Sequence, residues 1–461
     1  TYIMAKLANG GDNFYASLEN CCKEFLNIQL DKTKQLFDYG GTLYKDQIQY
    51  AGIDAAVLLP LYRVLSKNMI DNKLMKAAKL EFDCLSAVAQ LELNGVLLDK
   101  AKWIENSERG KEEFLRLEQE TYELIGDINL NSNGVNGQVC TQLSAICGFT
   151  VTSTSADYLK ELVESYEPVP NIFNKIVDWR PAVIKLLEYK KKAKEHSTYG
   201  FEFLKNIHTV TGRVHSSYGQ VNTNTFRFNS SSPNLQNLPR VEAIRAAFIA
   251  GEGRKLCIRD YGQIELRLMA GLSGDRLYMQ AYQNDEDVHA VTALRRFGLT
   301  DPKDITVDQR VLAKIMNFSL PYGTGANTYA QKSNQTYDEA KAEIKAFFKD
   351  LHPDLQQWHN GMFKYFKQYD CVRSVSGRLR KLDFWKWNNG EKEYTAMQAA
   401  KNFPIQSSSA DILKLAMTRM YREFPKDWML VLNVHDELVY DVPEQDAEEC
   451  FREMDRIMCE S

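Results

Sequence analysis

The first stretch of the chain, residues 1 to about 72, alternates helical apolar periodicity with turns. Within it Asp54 to Leu65, carrying Ala55, Ala56, Val57, Leu58, Leu59, Leu61 and Val64, predicts a helix of the buried kind, kinked where Pro60 removes a hydrogen bond. A second helix is predicted from Leu74 to about Leu93, stopped by the turn-forming pair Asn94-Gly95. From Lys100 to Thr198 long charged helices surround a loop rich in Asn, Ser and Gly, Asn129 to Gly137, and suggest an arm rather than a core. After Thr211 the pattern changes to short β-like runs beside Gly and Asp. Lys255 to Arg259 predicts a strand, and Ile264 to Leu272 the helix that follows it. Helical pattern returns from about 276 to 370. Trp428 to Val434, then His435-Asp436-Glu437, then Leu438 to Tyr440, predict a hairpin with acidic residues at its turn.

Composition narrows the classes. A chain of 461 residues is too long for one core, and roughly two to four domains are expected, with room for a cleft between them. Hydrophobic residues at 44% and charged residues at 26% are ordinary for a globular protein and argue against disorder. No run approaches the roughly 18 consecutive apolar residues of a membrane span, and no signal or transit peptide is recognisable. A soluble protein that is not secreted is therefore expected. The nine cysteines are scattered, with Cys21 and Cys22 adjacent and no CxxC pair, so reduced thiols are expected rather than a zinc site or disulfide framework. The chain begins at Thr1 and stops at Ser461 inside an amphipathic helix, and so reads as a fragment.

The net charge of −4 does not announce a nucleic-acid partner. Basic residues nonetheless cluster twice, at Arg180, Lys185, Lys190, Lys191, Lys192 and Lys194, and at Arg373, Arg378, Arg380, Lys381 and Lys386. Each run is either a solvated face or part of a groove that tracks phosphates. Asp260 and Asp436 each stand where a predicted strand ends, so a sheet can bring both carboxylates to one rim. Two hard oxygen ligands there suit Mg²⁺, and a pair of such ions can stabilise both oxygens of a phosphoryl transfer. Alone, either Asp reads first as a strand-end or turn residue. Arg310, Lys314, Phe318 and Tyr322 recur every four residues and form a slowly winding helical stripe. Two cations and two aromatics can meet a triphosphate and a base, or can be the solvated and core sides of an amphipathic helix.

These residues reach a recognisable pattern. Asp260-Tyr-Gly-Gln-Ile-Glu-Leu-Arg267, Arg310 through Gly323, and Val434-His-Asp-Glu-Leu438 resemble motifs A, B and C of the family A DNA polymerases, the DNA polymerase I family. Further matches are Thr211-Gly-Arg213, Pro233-Asn-Leu-Gln-Asn-Leu-Pro239, and Asn402-Phe-Pro-Ile-Gln406 followed by Ala410-Asp411. Their order and spacing agree, so the resemblance covers essentially the whole chain. It implies an α+β fold of right-hand polymerase architecture, with an antiparallel palm sheet and helical fingers and thumb, preceded by a partial α/β exonuclease domain of RNase H-like type. The domains implied are a partial 3′-5′ exonuclease at 1–72, thumb and connecting helices at 73–200, palm at 201–275, fingers at 276–395 and the second part of the palm at 396–461.

The resemblance further implies a template-directed polymerase that adds dNTPs to a primer 3′ end with two Mg²⁺ ions, for which Mn²⁺ can substitute. Its partners would be primer-template DNA and dNTPs. A monomer without membrane contact is implied, in the cytoplasm of a bacterial or phage-infected cell or in an organelle. Asp260, Asp436 and the backbone carbonyl of Tyr261 would hold metal. Glu265 would be the steric gate against a ribose 2′-hydroxyl. Arg310, Lys314 and His289 would meet the triphosphate, with Lys314 also in the catalytic set. Phe318, Tyr322 and Gln263 would complete the nucleotide site. Arg213, Asn234, Gln236, Asn237, Gln406, His435 and Lys191 would touch DNA. Tyr50 and Asp54 match the last metal-site motif of the exonuclease domain, and one carboxylate cannot assemble a two-metal centre.

The sequence departs from the family pattern at Gly262, where Ser is usual, at Ser319, where Gly is usual, at Pro321, and at Gln398, where Arg is usual. A long loop, His215 to Ser232, also separates two of the motifs. Two other readings are a catalytically silent DNA-binding relative and, were the amino-terminal domain complete, a nuclease.

Overall fold

The computed structural model describes residues 1–10, 14–33, 35–36, 40–165, 178–383 and 390–461. The chain opens with α1 (Tyr2–Asn9), α2 (Leu18–Leu26), α3 (Lys45–Ala56) and α4 (Leu58–Asp71). The helix expected from Asp54 to Leu65 is thus two helices parted at Val57. Pro60 lacks the N–H that the Ala56 carbonyl would need, and it is tolerated in the first turn of α4. Nor is this helix buried all round. Leu61, Leu65 and Met69 make one inward stripe while Leu58, Leu59 and Val64 stay exposed. By length and composition the run Lys45–Asp71 is apolar enough to cross a membrane, which a search for consecutive apolar residues does not register.

Next come α5 (Met75–Asn94), β1 (Val96–Leu98), α6 (Lys100–Ile125), α7 (Gln138–Cys147), α8 (Ala156–Glu164) and α9 (Arg180–Tyr199). Asp99 starts α6 by accepting from the Lys102 N–H at 3.0 Å. After β2 (Arg213–Val214), the His215–Ser232 loop proves to be a hairpin of β3 (Ser217–Gly219) and β4 (Asn229–Ser231). The short α10 (Glu242–Arg245) and β5 (Phe248–Ile249) lead into β6 (Arg254–Asp260) and α11 (Ile264–Ser273). A helical block follows, comprising α12 (Arg276–Gln283), α13 (Val288–Phe297), α14 (Val307–Ser319), α15 (Ala326–Ser333), α16 (Tyr337–Ala346) and α17 (Pro353–Tyr369). The hairpin β7 (Cys371–Arg373) and β8 (Leu379–Lys381) precedes the long α18 (Gly390–Glu423). The chain closes on β9 (Met429–Val434), β10 (Glu437–Pro443) and α19 (Ala447–Glu460).

The elements form two compact units. One comprises residues 1–94, 216–236 and 253–461. Its antiparallel sheet runs β6-β10-β9, and β10 lies centrally with Leu438 to Val442 buried. α5, α18 and α19 cover this sheet through Cys84, Leu91, Met417, Met420, Met454 and Ile457. The helical block has its own core, in which Leu266, Met269, Tyr278, Met316, Tyr329 and Phe347 pack together. The other unit comprises residues 95–215 and 237–252. Here α6 lies along α9, with Leu117, Leu143, Trp179, Val183 and Leu186 buried between the helices, and a small sheet runs β2-β1-β5. All nine cysteines are free.

Candidate active site

The sheet brings the two expected carboxylates to one end. In the β6–β10 ladder Asp260 lies opposite Glu437, and the Tyr261 N–H donates to the Asp436 carbonyl at 3.3 Å. Burial pushes the Asp436 carboxyl above its ordinary range; Arg227 pulls it back and the negative charge of Asp260 raises it further. Two like charges held in mutual reach, with oxygen donors only, fit a hard divalent cation. Among the described residues no group of three or more His, Cys, Asp or Glu side chains could hold a metal. A cation here would therefore have two protein carboxylates and would take its other oxygens from backbone, water or substrate.

The turn that carries Asp436 is tightly held. His435 adopts φ 56° and is exposed. Asn433, fully buried, donates to the carbonyls of His435 and Glu437 at 3.1 Å each. Gln236 in turn donates to the Asn433 Oδ1 at 3.0 Å. Gln236, expected to touch DNA, is 7% exposed and its amide nitrogen is committed to that inner contact. Its place is behind the turn, because a buried amide must find protein partners.

Gln263 adopts φ 57° at the start of α11 and accepts from the Tyr282 hydroxyl at 3.0 Å. Two residues on, Glu265 accepts from the Tyr322 hydroxyl at 2.5 Å and forms an ion pair with Arg227. The stripe begins in α14, whose start is closed by a capping box between Thr306 and Gln309. Arg310, Lys314 and Phe318 are exposed along it. α14 ends at Ser319, and Tyr322 stands in the turn after Pro321. Arg310 already binds Asp287, at 2.7 Å, so a nucleotide triphosphate would have to compete with that carboxylate. His289 is 4% exposed, and its Nδ1 lies 3.1 Å from the Asn317 amide. Burial pulls its pKa below the usual histidine value.

Arg227 was not among the residues picked out from the sequence. It sits in the connection of the β3–β4 hairpin between Phe226 and Phe228, both buried, and a cation between two apolar rings is the signal that could have singled it out. A buried ionic group anchors the hairpin. Lys414 of α18 donates to Glu81 at 2.5 Å and to the carbonyls of Gln220 and Phe226 at 2.8 Å each. Arg378 pairs with Glu81 and, at 2.5 Å, with Asp411. Lys414, Arg378 and Glu81 are fully buried, and two positive charges balance two negative ones.

The structure places the two basic runs as follows. Arg378 is in the core, Arg373 donates to the carbonyls of Asn72 and Gly377, and Lys386 lies outside the described residues. On α9, Lys185 pairs with Glu120 and Glu188, Lys192 with Glu113 and Glu195, Arg180 with Asp178, and Lys190 donates to Thr154. Lys191 and Lys194 are exposed. Acidic partners take up half of that run, Lys185 and Lys192 with one of theirs at helical spacing.

The remaining expected residues fall as follows. Arg213 donates to the Gly95 carbonyl at 3.0 Å, and Asn237, exposed, accepts through its carbonyl from Tyr199. Asn234 is exposed, and Gln406 is half-buried on α18. Lys32 donates to both carboxylate oxygens of Asp54 at 2.9 Å and to the Tyr50 hydroxyl at 3.3 Å. At Gly262 a methyl group would meet nothing within 4 Å, so no steric demand explains glycine there.

The sequence pattern that defines DNA polymerase family A matches residues 100–461, and that of the 3′-5′ exonucleases matches residues 1–70. The thermostable DNA polymerase I of Thermus thermophilus is 32% identical over 424 residues, which is 89% of this chain and 49% of that protein. The enzyme from Thermus aquaticus is 36% identical over 81% of this chain and 45% of its own length. DNA polymerase I of Pseudomonas aeruginosa is 33% identical over 87% and 44%. The chain thus spans about half the length of these relatives. Among solved structures, the POL domain of Pol1 from M. smegmatis in complex with DNA primer-template and dNTP superposes with a TM-score of 0.84. It is 26% identical and covers 99% of this chain and 77% of its own. With a family pattern matched over most of its length and the same α+β fold, the chain belongs to DNA polymerase family A.

Proposed function

We propose that this chain is the polymerising part of a DNA-directed DNA polymerase, which extends a primer 3′ end with dNTPs on a DNA template. The observation that carries the reading is the meeting of Asp260 and Asp436 at one end of the β6–β10–β9 sheet. The contact of Glu265 with Tyr322 and Arg227 supports it. Asp260, Asp436 and the Tyr261 carbonyl are the residues that would hold divalent metal. When bound, a pair of Mg²⁺ ions would make the primer hydroxyl easier to deprotonate and neutralise charge on the triphosphate.

The protein's own part is positioning. Arg310 would exchange Asp287 for phosphate oxygens, for which its planar fork is suited. Lys314 adds a second, point-like cation on the same face of α14, and the exposed Phe318 ring offers a surface for base or sugar. Glu265, held by two partners, forms a fixed wall where a ribose 2′-hydroxyl would intrude. Asn433 and Gln236 keep the Asp436 turn in place. Arg227, beside both Glu265 and Asp436, is suited to the primer end.

A labelled primer-template with Mg²⁺ tests the proposal. The chain is expected to lengthen the primer only when dNTPs are present. Asp260→Asn and Asp436→Asn are each expected to abolish extension while leaving the circular-dichroism spectrum and unfolding midpoint near those of the parent. Near-normal extension by either variant would refute the metal assignment. Mere retardation of DNA by the parent chain would indicate a silent binding relative, and shortening a nuclease.

A further inference from the structure

The end of α14 is built in an unusual way. Thr324 N–H donates to the Ser319 carbonyl at 3.1 Å and Gly323 N–H to the Leu320 carbonyl at 2.9 Å, a Schellman closure with Gly323 left-handed at φ 84°. This leaves the carbonyls of Pro321, Tyr322 and Gly323 without helical donors. Side chains of α18 reach the last two. Gln398 of α18 donates to the Gly323 carbonyl at 3.1 Å, joined by the Tyr394 hydroxyl at 3.3 Å. Asn402, one turn further along α18, donates to the Tyr322 carbonyl at 3.4 Å.

The fit is close. A methyl group on Gly323 would lie 2.0 Å from the Gln398 Oε1, so Gln398 occupies the space that glycine leaves. The three donors are spaced four residues apart on α18, which is why one helix face can serve adjacent carbonyls. Tyr322, whose own carbonyl takes one of these contacts, is the residue whose hydroxyl meets Glu265.

We infer that Gln398, with Asn402 and Tyr394, pins the carboxyl end of α14 as a fixed pivot, and that these are positioning residues which set Tyr322 against Glu265 and thereby tune nucleotide affinity and sugar selection. The inference rests on the polymerase reading for its kinetic consequence but not for its structural one. A short amide that satisfies one carbonyl at close range holds the turn without placing a charge beside the nucleotide.

The test uses Gln398→Met, which keeps volume and loses the donor, and Tyr394→Phe, an exposed change that cannot endanger folding. In single-nucleotide incorporation, Gln398→Met is expected to raise KM for the dNTP about tenfold, the loss of one hydrogen bond of roughly 1.4 kcal/mol, with kcat within about threefold. The preference for dNTP over rNTP should fall in parallel. Tyr394→Phe should move both quantities the same way by about twofold. Wild-type KM and sugar preference in both variants would overturn the inference, as would a fall in kcat alone, which would point to general loss of structure. Hydrogen exchange at the amides of Leu320, Tyr322, Gly323 and Thr324 provides a readout independent of catalysis: Gln398→Met should accelerate it several-fold. If the parent chain extends no primer, the polymerase reading fails while accelerated exchange still upholds the pivot; unchanged exchange overturns it.

Discussion

Lys414→Met probes the buried ionic group that anchors the Arg227 hairpin. Methionine keeps most of the lysine stem and removes the ammonium, so the perturbation is electrostatic rather than steric. Lys414 is fully buried and donates to Glu81, to Gln220 O and to Phe226 O. Removing one member of a buried ion pair typically costs about 3–5 kcal/mol, because the remaining charge is left undercompensated. Each stranded carbonyl would add roughly 1–3 kcal/mol if nothing relaxed. Arg378 still faces Glu81, however, and the three lost bonds share one relaxation, so the expected total stays at about 3–5 kcal/mol rather than their sum. Urea unfolding should show the midpoint falling with an unchanged slope. The kinetic effect should be specific as well, since Phe226 directly precedes Arg227: incorporation should weaken more than the stability loss explains when measured well below the unfolding midpoint. A cycle with Glu81→Gln separates the pair from the carbonyls. A loss under about 1 kcal/mol would refute the reasoning, for it would mean that Lys414 behaves as a solvated surface charge.

Two further outcomes follow from the site. Glu265→Ala should admit ribonucleotides, with discrimination falling about 10- to 200-fold, the scale of one close steric contact; competition between dNTP and rNTP in primer extension measures it, and an unchanged ratio removes the gate role. His359 gives the acid limb of stability a definite sign. Its folded value of about 3 lies below the unfolded value near 6.5, so its contribution is fully present above about pH 6.5 and is lost as pH falls towards 3. At roughly 1.4 kcal/mol per unit this approaches 4–5 kcal/mol. His359→Phe should flatten that limb in urea titrations run from pH 7 to 4, and parallel curves for parent and variant would contradict the assignment.

Periodicity and motif spacing carried much of the chain. Lys255–Arg259 and Trp428–Tyr440 read as strands because their β-branched and apolar runs end in Asp or turn residues, and the structure has β6, β9 and β10 there. α5 stops at Asn94 before Gly95, as turn chemistry requires. α14 stops before Pro321, whose ring nitrogen has no hydrogen to continue the ladder, whereas α18 runs on through Pro404.

What the sequence determined by itself was local: which residues can be helical, where proline and glycine end them, and which side chains carry charge or aromatic rings in motif order. Partnership needed the folded chain. Arg378 and Lys192 are as basic as Lys191 when read in line, yet folding buries the first against Glu81 and Asp411, pairs the second with Glu113 and leaves the third in solvent. Gln236 looked like a solvent-facing amide until Asn433 was brought against it from 197 residues away. Arg227 acquired its role only when its hairpin met Glu265. The energy of a charge or an amide depends on what surrounds it in space, and those surroundings come from segments hundreds of residues apart, which spacing along one strand of letters cannot encode.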